Sequence, residues 1–434
     1  MEIRGGRGRG AGGARPPGRR YRRPVRRLLT DRQAEILELA GRLADRFAER
    51  AGEHDRENTF PAENWPEMAE AGYLALAVPA ELGGRDADVL EILLAQERLA
   101  QGCGSTALAV LMHLTTTTAF RAAWRRTGDA RAERFLRGAA TGEIVLASCT
   151  SEAGHGGAIE DCSTTATRVA GGFRLDGRKI FFTESDVATH FTTVAKLDHP
   201  TLGPQMLFFG GVPIDAPGIE IVRTWDTLGM RATQSNDLVL DGVVVPDESL
   251  FHAYPVGHLD AVVGLTVWSL NVPAFGAVSL GIAAGGMEWV RKLVLERGRQ
   301  HDPQVQQAFA EMELLLESAR ALLQRHGNEV GAFDRAAALS VPELFARGNL
   351  AKYVACENAV RIMHLALEVA GGQGYHRRFP LERMYRDVRA GAIMPDSSPA
   401  ARRSFAETAL DLSTKPVFEV ADSAGHAARV LSSL

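Results

Sequence analysis

The hydrophobic period of this chain changes twice along its length, and that change restricts what it can fold into more than any single motif does. Over residues 28–145 apolar side chains recur at the three- and four-residue steps of amphipathic helices. In "DRQAEILELAGRLADRFAER", Ile36, Leu39, Leu43 and Phe47 form one apolar stripe, and Asp31 is placed to cap its start. "VPAELGG" supplies a proline and paired glycines as a break between two helices.

Over residues 146–252 the period becomes that of strands. "GGFRLDGRKIFFT" and "NDLVLDGVVVPDE" place Asp176-Gly177 and Asp241-Gly242 between alternating apolar runs, the short-range signal of a hairpin. "HFTTVAKL", "QMLFFGGVPI" and "IEIVRTW" are short, β-branched or aromatic, and bounded by turn residues. The helical step returns over residues 258–412, where "QQAFAEMELLLESARALL" carries Phe309, Met312, Leu316 and Leu323 on one face. Residues 413–434 read as a loose C-terminal tail. The expected fold class is α+β: an N-terminal helical domain, a central antiparallel β-barrel-like domain and a C-terminal helical bundle.

Composition removes several function classes. The chain has 434 residues, 45% hydrophobic and 24% charged, as ordinary globular proteins do. It has no run of about 18 uninterrupted apolar residues that would read as a membrane span. Cys103, Cys149, Cys162 and Cys356 lack CxxC or Cys/His spacing, so neither a disulfide framework nor a bound metal is expected, and a reducing cytoplasm fits. Residues 1–27 hold ten arginines against one glutamate, with many glycines and prolines, and read as a disordered tail. Removing them from 49 basic and 53 acidic residues leaves 39 against 52, an acidic body. Such a tail can bind anions by counterion release, but a solvated arm or an early-assigned start is the plainer reading, and nucleic acid is not an expected partner.

Generic catalytic motifs such as GxSxG, GxxxxGK[ST] and HExxH are absent. The order of segments is more informative. "AGYLALAVPAELGG", "CTSEAGHGG", "LDGRKIFFT", "WDTLGMRATQSNDLVLDGVVVP" and "EVAGGQGYHRRFPLERMYRDVRA" together resemble, in order, the acyl-CoA dehydrogenase family over roughly residues 28–412. The resemblance implies a four-helix C-terminal bundle, and FAD, with FMN possible, between it and the β domain. It also implies a homodimer or homotetramer, and an electron acceptor or flavin reductase as protein partner.

Carried over by position, Thr150 and Ser151 would hydrogen-bond the flavin ring, Phe181 would lie against it, and Thr183 would place a hydroxyl near N5. Arg297 would reach the pyrophosphate of a neighbouring subunit's cofactor, and Gly372 would let backbone approach it. Departures from the pattern weaken the adenine half of the site. The segment after Arg297 is shortened, Glu368 replaces a glutamine, Gly157 a serine and Pro399 an amide.

The base glutamate of the family falls on Pro395 in "VRAGAIMPDSSPAAR", and the alternative position, near Ser269 and Leu270, offers no carboxylate. Asp396 is the neighbouring candidate for a surrogate base, although as a residue it reads first as a cap for the next helix. Three readings follow. The one placed first is α,β-dehydrogenation of an acyl thioester, free or carrier-protein bound, with Asp396 as base. The second is a monooxygenase of the same fold using reduced flavin and O₂, with His113 and Ser148 facing the pocket. The third is a catalytically silent binding relative.

Overall fold

A computed structural model describes residues 29–156, 158–260, 266–331, 341–412, 417–420 and 423–434. The Arg/Gly-rich segment 1–27 and Gly157 lie outside the described residues.

The N-terminal helices are α1 (Asp31–Glu57), α2 (Asn64–Glu70), α3 (Val89–Ala100), α4 (Gly104–Thr127) and α5 (Ala130–Thr141). Thr30, rather than Asp31, caps α1. Its hydroxyl accepts from the Gln33 amide while the Gln33 side chain accepts from the Thr30 amide, a reciprocal capping box. The stripe of Ile36, Leu39, Leu43 and Phe47 is buried as its spacing requires.

The strands are β1 (Leu146–Ser148), β2 (Thr165–Val169), β3 (Gly172–Phe182), β4 (His190–His199), β5 (Gly203–Pro213), β6 (Ile219–Val222), β7 (Asn236–Pro246), β8 (Leu250–Pro255) and β9 (His258–Asp260). They pair in the order β6-β7-β3-β2-β4-β5-β8, mostly antiparallel, with β1 parallel to β4. The expected hairpin turns at Asp176-Gly177 and Asp241-Gly242 are not turns: β3 and β7 run straight through them. The β3–β7 register shifts between Leu175 and Gly177, and a Cβ on Gly177 would come 2.4 Å from the Thr164 hydroxyl. Gly177 therefore serves a bulge and a close approach, which glycine in a strand also signals. The turn that joins β2 to β3 is instead at Gly171, whose φ is +73°.

The later helices are α6 (Val272–Glu296), α7 (Pro303–Gly331), α8 (Val341–Ala370), α9 (Pro380–Asp387), α10 (Arg389–Ile393) and α11 (Ser398–Ala409). α6 packs on α8 and α3, and α3 also on α7, so early and late helices share one core. The helical stretch Ser269–Glu296 is long and apolar enough to cross a membrane by composition, but 89% of its apolar window is buried inside the protein.

The C-terminal segment departs from the expected loose tail. β10 (Val417–Val420) pairs with β9, and α12 (Ser423–Ser432) buries Ala427 and Val430 in the core of the β domain. Its His426 ring bonds the Gln205 side chain at 2.7 Å.

Candidate functional site

β3 ends in a strained turn. Phe181 (φ +59°) and Glu184 (φ +72°) both occupy the left-handed region, which non-glycine residues adopt at a cost, and which concentrates at functional sites. Phe182 is fully buried, whereas the Phe181 ring is 55% exposed and stands edge-on to Trp225 at 6.0 Å. Between the two strained residues, the Thr183 hydroxyl is 2.7 Å from that of Ser235, the residue just before β7. An exposed aromatic face two residues from a fixed hydroxyl could hold a flat polar ring.

The loop carrying Thr150 and Ser151 lies alongside this turn, because the Ile180 amide donates to the Ser151 carbonyl at 2.9 Å. Thr150 and Ser151 are both half-buried. The loop is anchored by Glu152, only 2% exposed, which accepts from Lys179 Nζ at 2.6 Å, the Thr164 hydroxyl at 2.6 Å and the Thr164 amide at 3.1 Å. Burial pushes this carboxyl up, but the Lys179 ammonium and the hydrogen bonds outweigh it and hold the pKa at about 2. Thus Thr150, Ser151, Phe181 and Thr183 converge on one corner of the β domain.

A second anchor ties this corner to the helices. The Met230 amide donates to Asp387 Oδ1 at 2.6 Å, and burial raises the Asp387 carboxyl to about 6 despite Arg383 nearby. A cavity of about 670 Å³ opens beyond Trp225, lined also by Asn58, Phe60, Arg223, Gln234 and Asn236.

Arg297 and Gly372 lie together at a different place, on the surface where α6 and α8 end. The Arg297 guanidinium donates to Gln373 Oε1, and a Cβ built on Gly371 or Gly372 would meet nothing within 4 Å. The shortened link is closed internally: Arg299 donates to the Val369 carbonyl at 3.2 Å and pairs with Asp302 at 3.0 Å. Glu368 is exposed and lies 3.3 Å from His364.

Asp396 does not cap α11. Ser397 is the cap residue and makes no side-chain cap bond, while Asp396 Oδ2 accepts from Asn349 Nδ2 at 2.9 Å. Fully buried Lys352 donates to the Met394 carbonyl at 2.8 Å and to the Asp396 carbonyl, and the Ser398 hydroxyl donates to Glu357 at 2.6 Å. The joint around Pro395 is therefore stapled to α8, and those side chains replace the cap that the local pattern suggests.

His113 cannot face a pocket as expected. It is fully buried, its Nδ1 accepts from the Leu146 amide at 3.0 Å and its Nε2 donates to the Leu74 carbonyl at 3.0 Å. Burial lowers its pKa to about 4, so it is a neutral packing residue. Ser148 sits half-buried on β1. Ser269 and Leu270 are buried in a π-helical turn, Val267–Asn271, where the Ser269 carbonyl accepts from His326 at 2.9 Å. Glu152, Lys179, Thr233, Ser235 and Asp387 were missed as site residues. The hydroxyls at alternate positions in "RATQS" were the available signal for two of them.

Three domain models match the chain: acyl-CoA dehydrogenase N-terminal domain over residues 30–143, middle domain over 147–243 and C-terminal domain over 274–394. L-evernosamine nitrososynthase of Micromonospora sp. is 32% identical over 393 residues, covering 85% of this chain and 88% of the relative. Benzylmalonyl-CoA dehydrogenase of Aromatoleum aromaticum is 30% identical over 371 residues, covering 83% and 93%. Among solved structures, KijD3 in complex with FMN and dTDP-3-amino-2,3,6-trideoxy-4-keto-3-methyl-D-glucose superposes with a TM-score of 0.80 at 27% identity, covering 89% and 96%. Matched along nearly its whole folded length, in all three domains and in order, the chain belongs to the acyl-CoA dehydrogenase family.

Proposed function

We propose that this chain is a flavin-dependent oxygenase that takes reduced flavin from a partner reductase and transfers one oxygen atom of O₂ to a small organic substrate. The observation that carries this reading is a contrast within the site. The ring-facing corner is built from an exposed Phe181, a buried Thr183 and half-buried Thr150 and Ser151. The place of the α-proton base holds Pro395, in a joint fixed to α8. Proline can neither take nor give a proton, and oxygen transfer requires no α-proton base.

The exposed ring of Phe181 and the lone pairs around Thr183 fit an isoalloxazine. The closed Arg297–Asp302 link and exposed Glu368 offer an adenosine diphosphate little, so FMN fits better than FAD. When bound, reduced flavin supplies the two electrons that reduce the second oxygen atom to water, leaving oxidised flavin. The chain's own residues hold and orient the ring. Thr150 and Ser151, presented by the Glu152–Lys179 anchor, would hydrogen-bond the ring, Phe181 would lie against it, and Thr183 would place a hydroxyl near it. Exposed Arg297 and the open Gly371–Gly372 backbone fit a homodimer or homotetramer in which they reach the flavin of a neighbouring copy.

Dehydrogenation of an acyl thioester remains the second reading, favoured by one observation. Asp396 is not spent as a cap and accepts from Asn349 through only one of its carboxylate oxygens. Two assays separate the readings. Oxygenated product that requires both reduced FMN and O₂ supports the first. Anaerobic bleaching of the flavin-loaded protein by an acyl thioester, abolished in Asp396→Asn, supports the second and contradicts the first.

A further inference from the structure

We infer that Ser235 and Thr233 are positioning residues that fix the polarity of the Thr183 hydroxyl, so that the site favours the reduced form of the flavin over the oxidised form. This rests on the flavin reading above. Three hydroxyls stand in line behind the strained turn. Thr183 Oγ1 is 2.7 Å from Ser235 Oγ, which is 2.9 Å from Thr233 Oγ1, which donates to the Met230 carbonyl at 2.9 Å. All three residues are buried, Thr233 completely, so solvent does not complete the chain.

Each hydroxyl has one proton to give, and a carbonyl has none. The inner end favours one direction, because a Thr233 proton on the Met230 carbonyl leaves no buried proton of the chain without an acceptor. Thr233 donates to Met230, so it accepts from Ser235, and Ser235 in turn accepts from Thr183. In this direction every proton has an acceptor inside the protein. The Phe181 carbonyl, at 3.4 Å, is too far to compete with Ser235 at 2.7 Å for the Thr183 proton. What Thr183 offers outward is a lone pair. Run the other way, the chain would leave the Met230 carbonyl served by the Thr233 amide and the Trp225 indole, at 3.1 Å and 3.0 Å, and would point the Thr183 proton outward.

The two flavin states differ at the atom a hydroxyl there would meet. Oxidised N5 is an acceptor, whereas reduced N5 carries a hydrogen and donates. A lone pair on Thr183 pairs with the reduced ring and opposes the oxidised one. Ser235 and Thr233 act only through Thr183, and "RATQS" places them at alternate positions so that both reach the same chain.

The test compares oxidised and dithionite-reduced FMN binding to the full-length chain under anaerobic conditions, by fluorescence and calorimetry. One hydrogen bond gained rather than opposed predicts a Kd about tenfold lower for reduced FMN. Thr233→Val removes the acceptor for the Ser235 proton and lets the chain point outward. The preference should shrink by about tenfold, equivalent to a fall of about 30 mV in the two-electron potential of the bound flavin. Ser235→Ala should move the ratio the same way, which keeps the test available if one variant folds poorly. A wild-type chain that binds oxidised FMN as tightly as reduced, or variants that leave the ratio unchanged, would overturn the inference while the flavin reading stands. A chain that binds flavin in neither state would remove both.

Discussion

Replacing Lys179 by methionine tests whether the loop that presents Thr150 and Ser151 is held by charge. The ammonium and the Glu152 carboxylate are 2.6 Å apart with side-chain exposures of 0% and 3%, so neither is screened by water. Removing one partner of a buried pair costs about 3–5 kcal/mol, because the remaining charge stays desolvated. Thr164 and Ser163 still donate to Glu152 in the variant, which places the expected loss near the lower figure.

The pH dependence has a definite sign. The Glu152 carboxyl sits at about 2 against its ordinary 4.5, so its contribution is present above pH 4.5 and is lost as pH falls through about 2. Without the ammonium the folded pKa rises and the acid loss begins at higher pH. The assay is urea unfolding followed by tryptophan emission at neutral and acid pH, with FMN affinity measured alongside. Adding Glu152→Gln to Lys179→Met should recover much of the stability, since no buried charge then remains. A single variant that loses less than about 1 kcal/mol, or a double variant no more stable than the single, would refute the reasoning.

Other outcomes follow from the same structure. Asp387→Asn should flatten the part of the pH–stability curve where the wild type loses stability as pH rises from 3.8 through about 6, because burial keeps this carboxyl protonated longer when folded. Glu184 is fully buried and accepts from the Trp65 indole at 2.8 Å, with its carboxyl raised well above 4.5 by burial. Glu184→Gln should therefore match the wild type in melting temperature below pH 4.5 and exceed it as pH rises. Phe181→Ala should weaken FMN binding roughly five- to tenfold by titration, the loss of one aromatic contact, with little change in melting temperature because the ring is 55% exposed.

What could be read in advance follows the range of the interactions. The stripe of α1 and the apolar face of α7 depend on residues three or four apart, and Ile36, Leu39, Met312 and Leu316 are buried as expected. The Asp-Gly pairs misled because a glycine's local preference for turns is the same whether it makes a hairpin or admits Thr164 against β3. Asp396 has a cap's neighbours, but Asn349, nearly fifty residues earlier, takes its carboxylate. The anchor from Glu152 to Lys179 and the chain from Thr183 to Ser235 span strands whose register only folding fixes. α12 looked like a tail because its apolar face is short, and only the surface of the β domain gives Ala427 and Val430 a place to be buried.

The most direct measurement is an anaerobic titration of the full-length chain with FMN and FAD, each oxidised and then reduced, repeated with Phe181→Ala. The account predicts saturable binding of one flavin per chain, tightest for reduced FMN and weakened by loss of the Phe181 ring. Failure to bind any of the four, or binding indifferent to Phe181, would contradict it.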